Sequence, residues 1–378
     1  MNPGRSGAGA DPVLRLLPPS SPRVEEVWRE LERQAAPPYF LSWGWIGNWL
    51  ACLPPREAPP LAVMLAGETP VSAFFLGRRR LVRHLVLASR ALFLNTTGQA
   101  RWDELTIEHN ALLCAPGARL SLRALVDALP GDWDELHLPA LARASFPGSV
   151  LEEPLTGHVV RVDREATAPF VDLARVRASP GGYLDLLRSG TRAQIRRAQR
   201  GFGATRLEVA SDAGQAIEFY EELVGLHTRT WRSRGHPGAF ADPWFDAFHR
   251  RLVAERFRHG EIQLLRLRSN GATLGCLYNL VSAGRVLFYQ GGFATLPDPR
   301  LKPGYLCHVE AVRHNAAAGH AVYDLLGGDA RYKHSLATGQ ERITWARVQR
   351  RRLRFVVEER LRRWRRALRG GGPAPHLL

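Results

Sequence analysis

The sequence predicts an α/β (α+β) protein made of two similar halves, and three observations predict it. Short apolar runs of four to eight residues alternate with segments whose apolar residues recur every three to four positions. The second half runs strand, helix, helix, three strands, helix, strand, short helix, strand, and the first half repeats that order in weaker form. The chain has 378 residues, more than one hydrophobic core usually organises.

The first half begins with residues 1–20, which read as a flexible tail: MNPGRSGAGADP has nothing apolar before Val13 and lacks the apolar core of a signal peptide. Helical patterns follow at about 22–35 and 42–53, the second capped by Ser42. LAVML (61–65), VSAFFL (71–76) and RHLVLA (83–88) read as strands, the first two joined by the hairpin-like run Ala66-Gly67-Glu68-Thr69-Pro70. A helix at about 118–129 places Leu120, Leu122, Leu125, Val126 and Leu129 on one face. ELHLP (135–139) and HVVRVD (158–163) are further strands.

The second half is more regular. Ser179-Pro180 reads as a helix start. Ser189 begins another helix, carrying the run TRAQIRRAQR. Thr205–Ala210 alternates as a strand. Asp212 and Gln215 form a capping-box pattern that opens a long helix to about 233. Asp242-Pro243 opens the next, ending near His259-Gly260. Strands 261–268, 273–282 and 285–292 are separated by SNGA and SAG, both hairpin turns. A helix at 304–318, a strand at 321–326, a short helix at 331–336 and a strand at 341–348 complete the unit. A boundary near 170 divides 21–170 from 171–349, leaving 350–378 as an Arg-rich helix and tail.

Composition narrows the function classes. Net charge is +16, but of 52 basic residues only Lys302 and Lys333 are lysines, so much of the basicity is arginine usage across the whole chain. Acidic partners remain open: nucleic acid, anionic lipid or a phosphate-bearing cofactor. Cys52, Cys114, Cys276 and Cys307 lie far apart with no metal-ligand spacing, which suits a reduced, cytoplasmic protein without a metal. No apolar run reaches the length of a membrane-spanning helix. The patterns of a zinc protease, a phosphate-loop NTPase and a serine hydrolase are missing.

The segments SGTRAQIRRAQR (189–200), LHTRTWRSRG (226–235), LFYQGGF (287–293), LKPGYLCHVEAV (301–312) and YDLLGGDARYKHSLA (323–337) occur in that order. Together they resemble the cellulose-biosynthesis-linked acetyltransferases of the GNAT superfamily, most clearly over 180–340. More distantly the chain is similar to the Fem-type aminoacyl transferases of peptidoglycan. The resemblance implies tandem GNAT-like units, each a mixed, mostly antiparallel sheet flanked by helices, with acetyl-CoA or another acyl-CoA as cosubstrate.

The residues then take expected roles. A helix N-terminus attracts anions through free N–H groups and its dipole, so Gly304 and Tyr305, preceded by Arg300 and Lys302, are the candidates for the CoA phosphates. Arg300 stands one place away from the superfamily pattern. Gly291 and Gly292 either admit a pantetheine arm or mark a strand-end bulge. By resemblance Tyr332 protonates the leaving thiolate, and Asp324 is the other catalytic candidate. Asp324 and Asp329 flank a glycine turn and Tyr332 and Lys333 open the short helix after it, with Asp329 and Lys333 as substrate-binding candidates. Arg192, Arg196 and Arg197 share a helix face and meet either an anionic substrate, carboxylates of the protein or solvent. His227 and Trp231, one turn apart, line either an acceptor pocket or a packed helix face. No general base is evident; Asp324, His308 and Glu310 are the polar candidates, with a water chain as the alternative that the resemblance allows.

The expected activity is transfer of an acyl group from acyl-CoA to an amine, the acceptor being a small molecule or glycan precursor in cell-envelope or exopolysaccharide metabolism. Two alternatives stand beside it: a Fem-like transferase using aminoacyl-tRNA, and a non-catalytic GNAT-fold protein of a polysaccharide assembly. From Glu341 to Arg369 the chain has twelve arginines against three glutamates. Leu353, Val356, Val357, Leu361, Trp364 and Leu368 recur there at helical spacing, which suits either peripheral contact with an anionic inner-membrane surface or a docked final helix.

Overall fold

The computed structural model describes residues 12–83, 87–105, 107–118, 120–142, 155–298, 300–358 and 360. The first half contains β1 (Val13–Leu17), α1 (Arg23–Ala35), α2 (Trp43–Cys52), β2 (Leu61–Ala66), β3 (Thr69–Arg83), β4 (Leu87–Leu94), α3 (Ala100–Asp103), β5 (Leu113–Cys114), α4 (Leu122–Ala128), β6 (Glu135–Ala142) and β7 (His158–Asp172). The second contains α5 (Leu173–Ala178), α6 (Ser189–Phe202), β8 (Thr205–Val209), α7 (Ala213–Ser233), α8 (Pro243–Arg256), β9 (Ile262–Ser269), β10 (Ala272–Ser282), β11 (Arg285–Phe293), α9 (Pro303–Ala317), β12 (Val322–Asp324), α10 (Arg331–Leu336) and β13 (Gly339–Arg350).

Local chemistry sets most of these boundaries. Ser42 accepts a hydrogen bond from the N–H of Trp45 at 3.2 Å and starts α2. Asp212 accepts from Gln215 N–H while Gln215 Oε1 accepts from Ser211 N–H, both at 2.9 Å, which fixes the start of α7. Asn270-Gly271 and Ala283-Gly284 have positive φ at both positions, the geometry that matches the twist of a tight hairpin. Three expectations change. Ser179-Pro180 starts no helix: Gly181 and Gly182 follow, and Gly182 is left-handed. Asp172 instead caps α5, accepting from Arg175 N–H at 3.0 Å. The third strand lies at β4, after the expected 83–88. Within residues 1–20, Val13–Leu17 form edge strand β1, pairing β2 from Val13–Leu65 to Leu17–Leu61.

The strands form one sheet in the order β1-β2-β3-β4-β6-β13-β7-β12-β11-β10-β9-β8, with β5 beside β3. Its two arms match. From β1 to β4 neighbours are antiparallel and β4 is parallel to β6. From β8 to β11 neighbours are antiparallel and β11 is parallel to β12. The arms meet by exchange: β7, from the first half, pairs β12, and β13, from the end of the second, pairs β6. The expected boundary at 170 falls inside β7. A shared core joins the halves. Trp45 meets Phe248 edge-on at 5.0 Å, Asn48 donates to the carbonyl of Phe248 at 3.1 Å, and Trp244 Nε1 donates to the carbonyl of Cys52 at 2.9 Å.

After β13, residues 353–358 are helical; Phe355 and Glu358 are buried, while Leu353, Val356 and Val357 are exposed. Leu361, Trp364 and Leu368 lie outside the described residues. Among the described residues no helix is long and apolar enough to cross a membrane.

Gly292 shows how closely α7 lies on this sheet. A Cβ there would stand 2.4 Å from the carbonyl oxygen of Leu223 and 2.8 Å from Leu226 Cβ. Gly292→Ala should therefore cost about 1–3 kcal/mol of stability, as overpacking does, read as a lower urea midpoint. An unchanged midpoint would contradict this packing.

Candidate functional site

Strands β11 and β12 pair in parallel at Arg285–Val322, Val286–Tyr323 and Leu287–Asp324, and then part. β11 continues to Phe293, whereas the chain after Asp324 turns through Leu326, whose φ is 58°. Opposite β10, Tyr278 faces Gln290 and Asn279 faces Phe288, so Tyr289 is the extra residue of a bulge beside the gap. Helix α9 connects the two strands, and its N-terminus opens at the end of β11.

On the α9 face, His308 lies between Tyr332 and Phe288. Its ring stacks on Tyr332 at 5.6 Å and meets Phe288 edge-on at 4.5 Å, and its Nδ1 is 3.1 Å from the hydroxyl of Tyr323. Burial pushes the Tyr332 phenol up, so it stays protonated at neutral pH. Tyr305 and Ser335 share a hydrogen bond at 3.0 Å.

On the opposite face, Leu105 and residues 107–110 of the first half lie at the gap. The Tyr289 hydroxyl donates to the carbonyl of Leu105 at 2.7 Å, and the N–H of Gly327, beyond β12, donates to Glu108 Oε2 at 2.5 Å. His109 follows, with Nε2 2.9 Å from Asp324 Oδ2. Arg285 reaches Asp324 at 2.5 Å and Glu341 at 2.7 Å, and Asp324 Oδ1 accepts from Leu326 N–H at 2.8 Å. Lys333 donates to the carbonyl of Gly327 at 2.7 Å.

The electrostatics follow from burial and pairing. Burial alone would raise Asp324, but the bond from His109 and the charges of His109 and Arg285 outweigh it and hold the carboxyl low. Burial alone would lower His109, but its bond to Asp324 and that charge raise it. Burial raises Glu108, with the Gly327 N–H and the Lys333 charge opposing. Burial lowers Lys333, with Glu108 and Asp324 opposing.

The expected site residues therefore divide. Asp324 and Lys333 join one charged cluster, while Tyr332 and Tyr305 line the gap from the α9 face. Lys302 precedes the first residue of α9 without capping it through its side chain, and its Nζ is 5.6 Å from the Tyr305 ring. Gly304 lies under the Phe293 ring, 3.5 Å from where its Cβ would be. Arg300 is drawn onto Asp298 by contacts of 3.0–3.2 Å, so its charge is already paired. Gly292 gives room to α7, and Gly291 to the rings of Phe288 and Phe293. Arg192 lies 3.9 Å from Asp185, and Arg196 is exposed. His227 is buried against Phe240 and Trp231, beside Gly238. Asp329 is exposed.

Sequence reasoning missed Glu108, His109, Arg285 and Glu341. Glu108-His109-Asn110 is a polar triplet between Ile107 and the run Ala111-Leu112-Leu113. Charge interrupting a buried-strand pattern is the signal it offered.

The first half's equivalent gap is filled. β4 and β6 pair in parallel and then part beside Asn110, whose side chain donates to the carbonyls of Leu94 and Pro139 and accepts from Asn95.

Residues 187–334 match the acetyltransferase (GNAT) domain family. Among solved structures, FemX is 10% identical and aligns over 84% of this chain and 95% of its own, with a TM-score of 0.52. The C-terminal domain of a putative lysylphosphatidylglycerol synthetase from Agrobacterium fabrum is 13% identical, over 86% of this chain and 91% of its own, with a TM-score of 0.46. A tandem GNAT protein from the clavulanic acid biosynthesis pathway is 14% identical, over 89% and 98%, with a TM-score of 0.44. No curated protein matches the sequence. The fold is that of tandem GNAT-like units, the second half carrying the matched domain.

Three buried histidines give the protein a pH signature. Burial lowers His227 to about 4 and His249 and His308 to about 3. The unfolded chain protonates these rings near pH 6.5 and the folded chain does not, so stability falls as pH drops through 6.5. His109, raised by Asp324, acts in the opposite direction. The urea midpoint should be lower at pH 5 than at pH 7.5, and His249→Phe should shrink that difference. A midpoint independent of pH would contradict the neutral burial of these rings.

Proposed function

We propose that this protein is an N-acyltransferase whose donor arm enters the gap between β11 and β12. The observation that carries the reading is the parting of these parallel strands beside the start of α9, within the matched domain. The acyl donor is acyl-CoA, most simply acetyl-CoA. Its thioester lies near Tyr332 and its phosphates near Lys302 and Gly304, where α9 has no side-chain cap. Arg300, paired with Asp298, contributes less than the sequence implied. Arg196 and Arg197, exposed on α6, add positive potential, since α6 packs on Leu301 through Gly201.

In this reading the acceptor is an amine of a small molecule or glycan precursor, as in the cellulose-linked acetyltransferases that the sequence resembles. The amine attacks the thioester carbonyl, and Tyr332 delivers its proton to the departing thiolate. The gap and its held groups supply positioning. The exposed Leu353, Val356 and Val357 among arginines support peripheral contact with an anionic membrane, which pelleting with anionic and neutral vesicles compares. An aminoacyl-tRNA donor is the alternative, as in the Fem-type transferases.

Calorimetric titration with acetyl-CoA tests the donor. Lys302→Glu should weaken binding by about 1–3 kcal/mol, as for a charge-assisted contact. Tyr332→Phe should leave binding intact and lower kcat by roughly 100-fold or more. Equal binding by Lys302→Glu moves the phosphate site elsewhere. A wild-type protein that binds no acetyl-CoA removes the acyl-CoA reading and favours the tRNA donor.

A further inference from the structure

We infer that Glu108, supplied by the first half, is the general base that deprotonates the acceptor amine in the second half's gap; the inference rests on the acyl-transfer reading above. The placement is geometric. Tyr289 on β11 and Gly327 beyond β12 are the two sides of the parting strands, and they donate hydrogen bonds to Leu105 and Glu108 respectively. Glu108 is therefore held across the gap. It lies with the α7 face, whose core takes in Leu105, Ile107, Tyr289 and Leu326. Tyr332 packs with the core of the other face, beside α9. A donor arm between the strands thus has a proton donor on one side and a carboxylate on the other, one to protonate the thiolate expelled from the tetrahedral intermediate and one to deprotonate the attacking amine.

The surroundings suit a base. Glu108 is 6% exposed, and Oε2 is fixed by the Gly327 N–H. Among the described residues no hydrogen bond is made to Oε1. The charged groups nearby are Lys333, Asp324 and His109, with Arg285 and Glu341 one contact further, through Asp324 and His109. Asp324 is committed to His109 and Arg285, which hold its carboxyl low, and His109 is committed through Nε2 to Asp324. Burial raises the Glu108 carboxyl toward the pH at which a base works best.

The step balances. An alkyl amine arrives as an ammonium ion and gives one proton to Glu108. The nitrogen lone pair then forms the C–N bond and the C–S bond breaks. Tyr332 protonates the thiolate and regains the second proton that the nitrogen loses. Glu108 releases its proton to water, so each turnover yields amide, free thiol and one proton.

The test compares wild type, Glu108→Gln and Glu108→Asp with acetyl-CoA and two acceptors. Glucosamine is largely protonated at pH 6.5, whereas hydroxylamine is largely neutral and needs no base. Glu108→Gln should lower kcat for glucosamine about 100-fold or more, flatten the acid limb of its pH profile and leave hydroxylamine within a few fold. Glu108→Asp should restore part of the glucosamine rate. Equal loss with both acceptors makes Glu108 structural, and no loss with either places the base elsewhere; each overturns the inference. Acetyl-CoA calorimetry on the same proteins separates the two readings. Binding by all three with selective loss for glucosamine supports the base, whereas no binding by wild type defeats the acyl-CoA reading and withdraws the base with it.

Discussion

The antiparallel pairing of β7 with β13, running from Phe170–Gly339 to His158–Arg350, is the constraint on which the rest depends. Without it the chain has two open sheets whose inner edges, β6 and β12, present unpaired backbone groups. With it each edge is covered by a strand from the other half of the sequence. The exchange makes one continuous sheet, and the halves then have a fixed relation that the Trp45–Phe248 core reinforces. A loop of the first half can reach a gap of the second only because that relation is fixed.

The charged cluster at the junction depends on the same pairing. Glu341 is on β13, Asp324 ends β12 and Arg285 begins β11, so Arg285 bridges adjacent parts of the exchanged sheet. His109 enters from the first half. Buried charges of this kind do little for net stability, yet removing one partner strands the others and costs about 3–5 kcal/mol. The physical role that fits is specification: one relative placement of the halves satisfies Asp324 with Arg285, His109 and a backbone N–H.

Much of the fold was legible because helix caps and hairpin turns are local. Ser42, Asp212, Asp242 and the Asn270-Gly271 turn each act within a few residues, and each element they bound lies where the pattern put it. The edge strand β1 was less visible, since Val13–Leu17 has exposed apolar residues and a tail-like composition before it. Long-range facts were not legible at all. Nothing in residues 158–172 says that they complete the second arm, and nothing near Glu108 says that Gly327, 219 residues later, will donate to it. Asp324, Tyr332 and Lys333 were visible because they share one short segment; Arg285 and Glu341 are single residues in strands, with no motif around them.

The two gaps of the tandem fold have opposite fates, and one short segment decides both. Asn110 turns into the first gap and satisfies the carbonyls of Leu94 and Pro139. Glu108 and His109, immediately before it, turn to the second gap. Consecutive residues can face opposite gaps because His109 has φ 51°, a left-handed conformation. That conformation costs a non-glycine residue roughly 1–2 kcal/mol, and the bond to Asp324 offsets it. Closing the first gap and furnishing the second are thus consequences of the same backbone kink. One short segment of the first half thus places Asn110 in its own gap and Glu108 and His109 at its neighbour's.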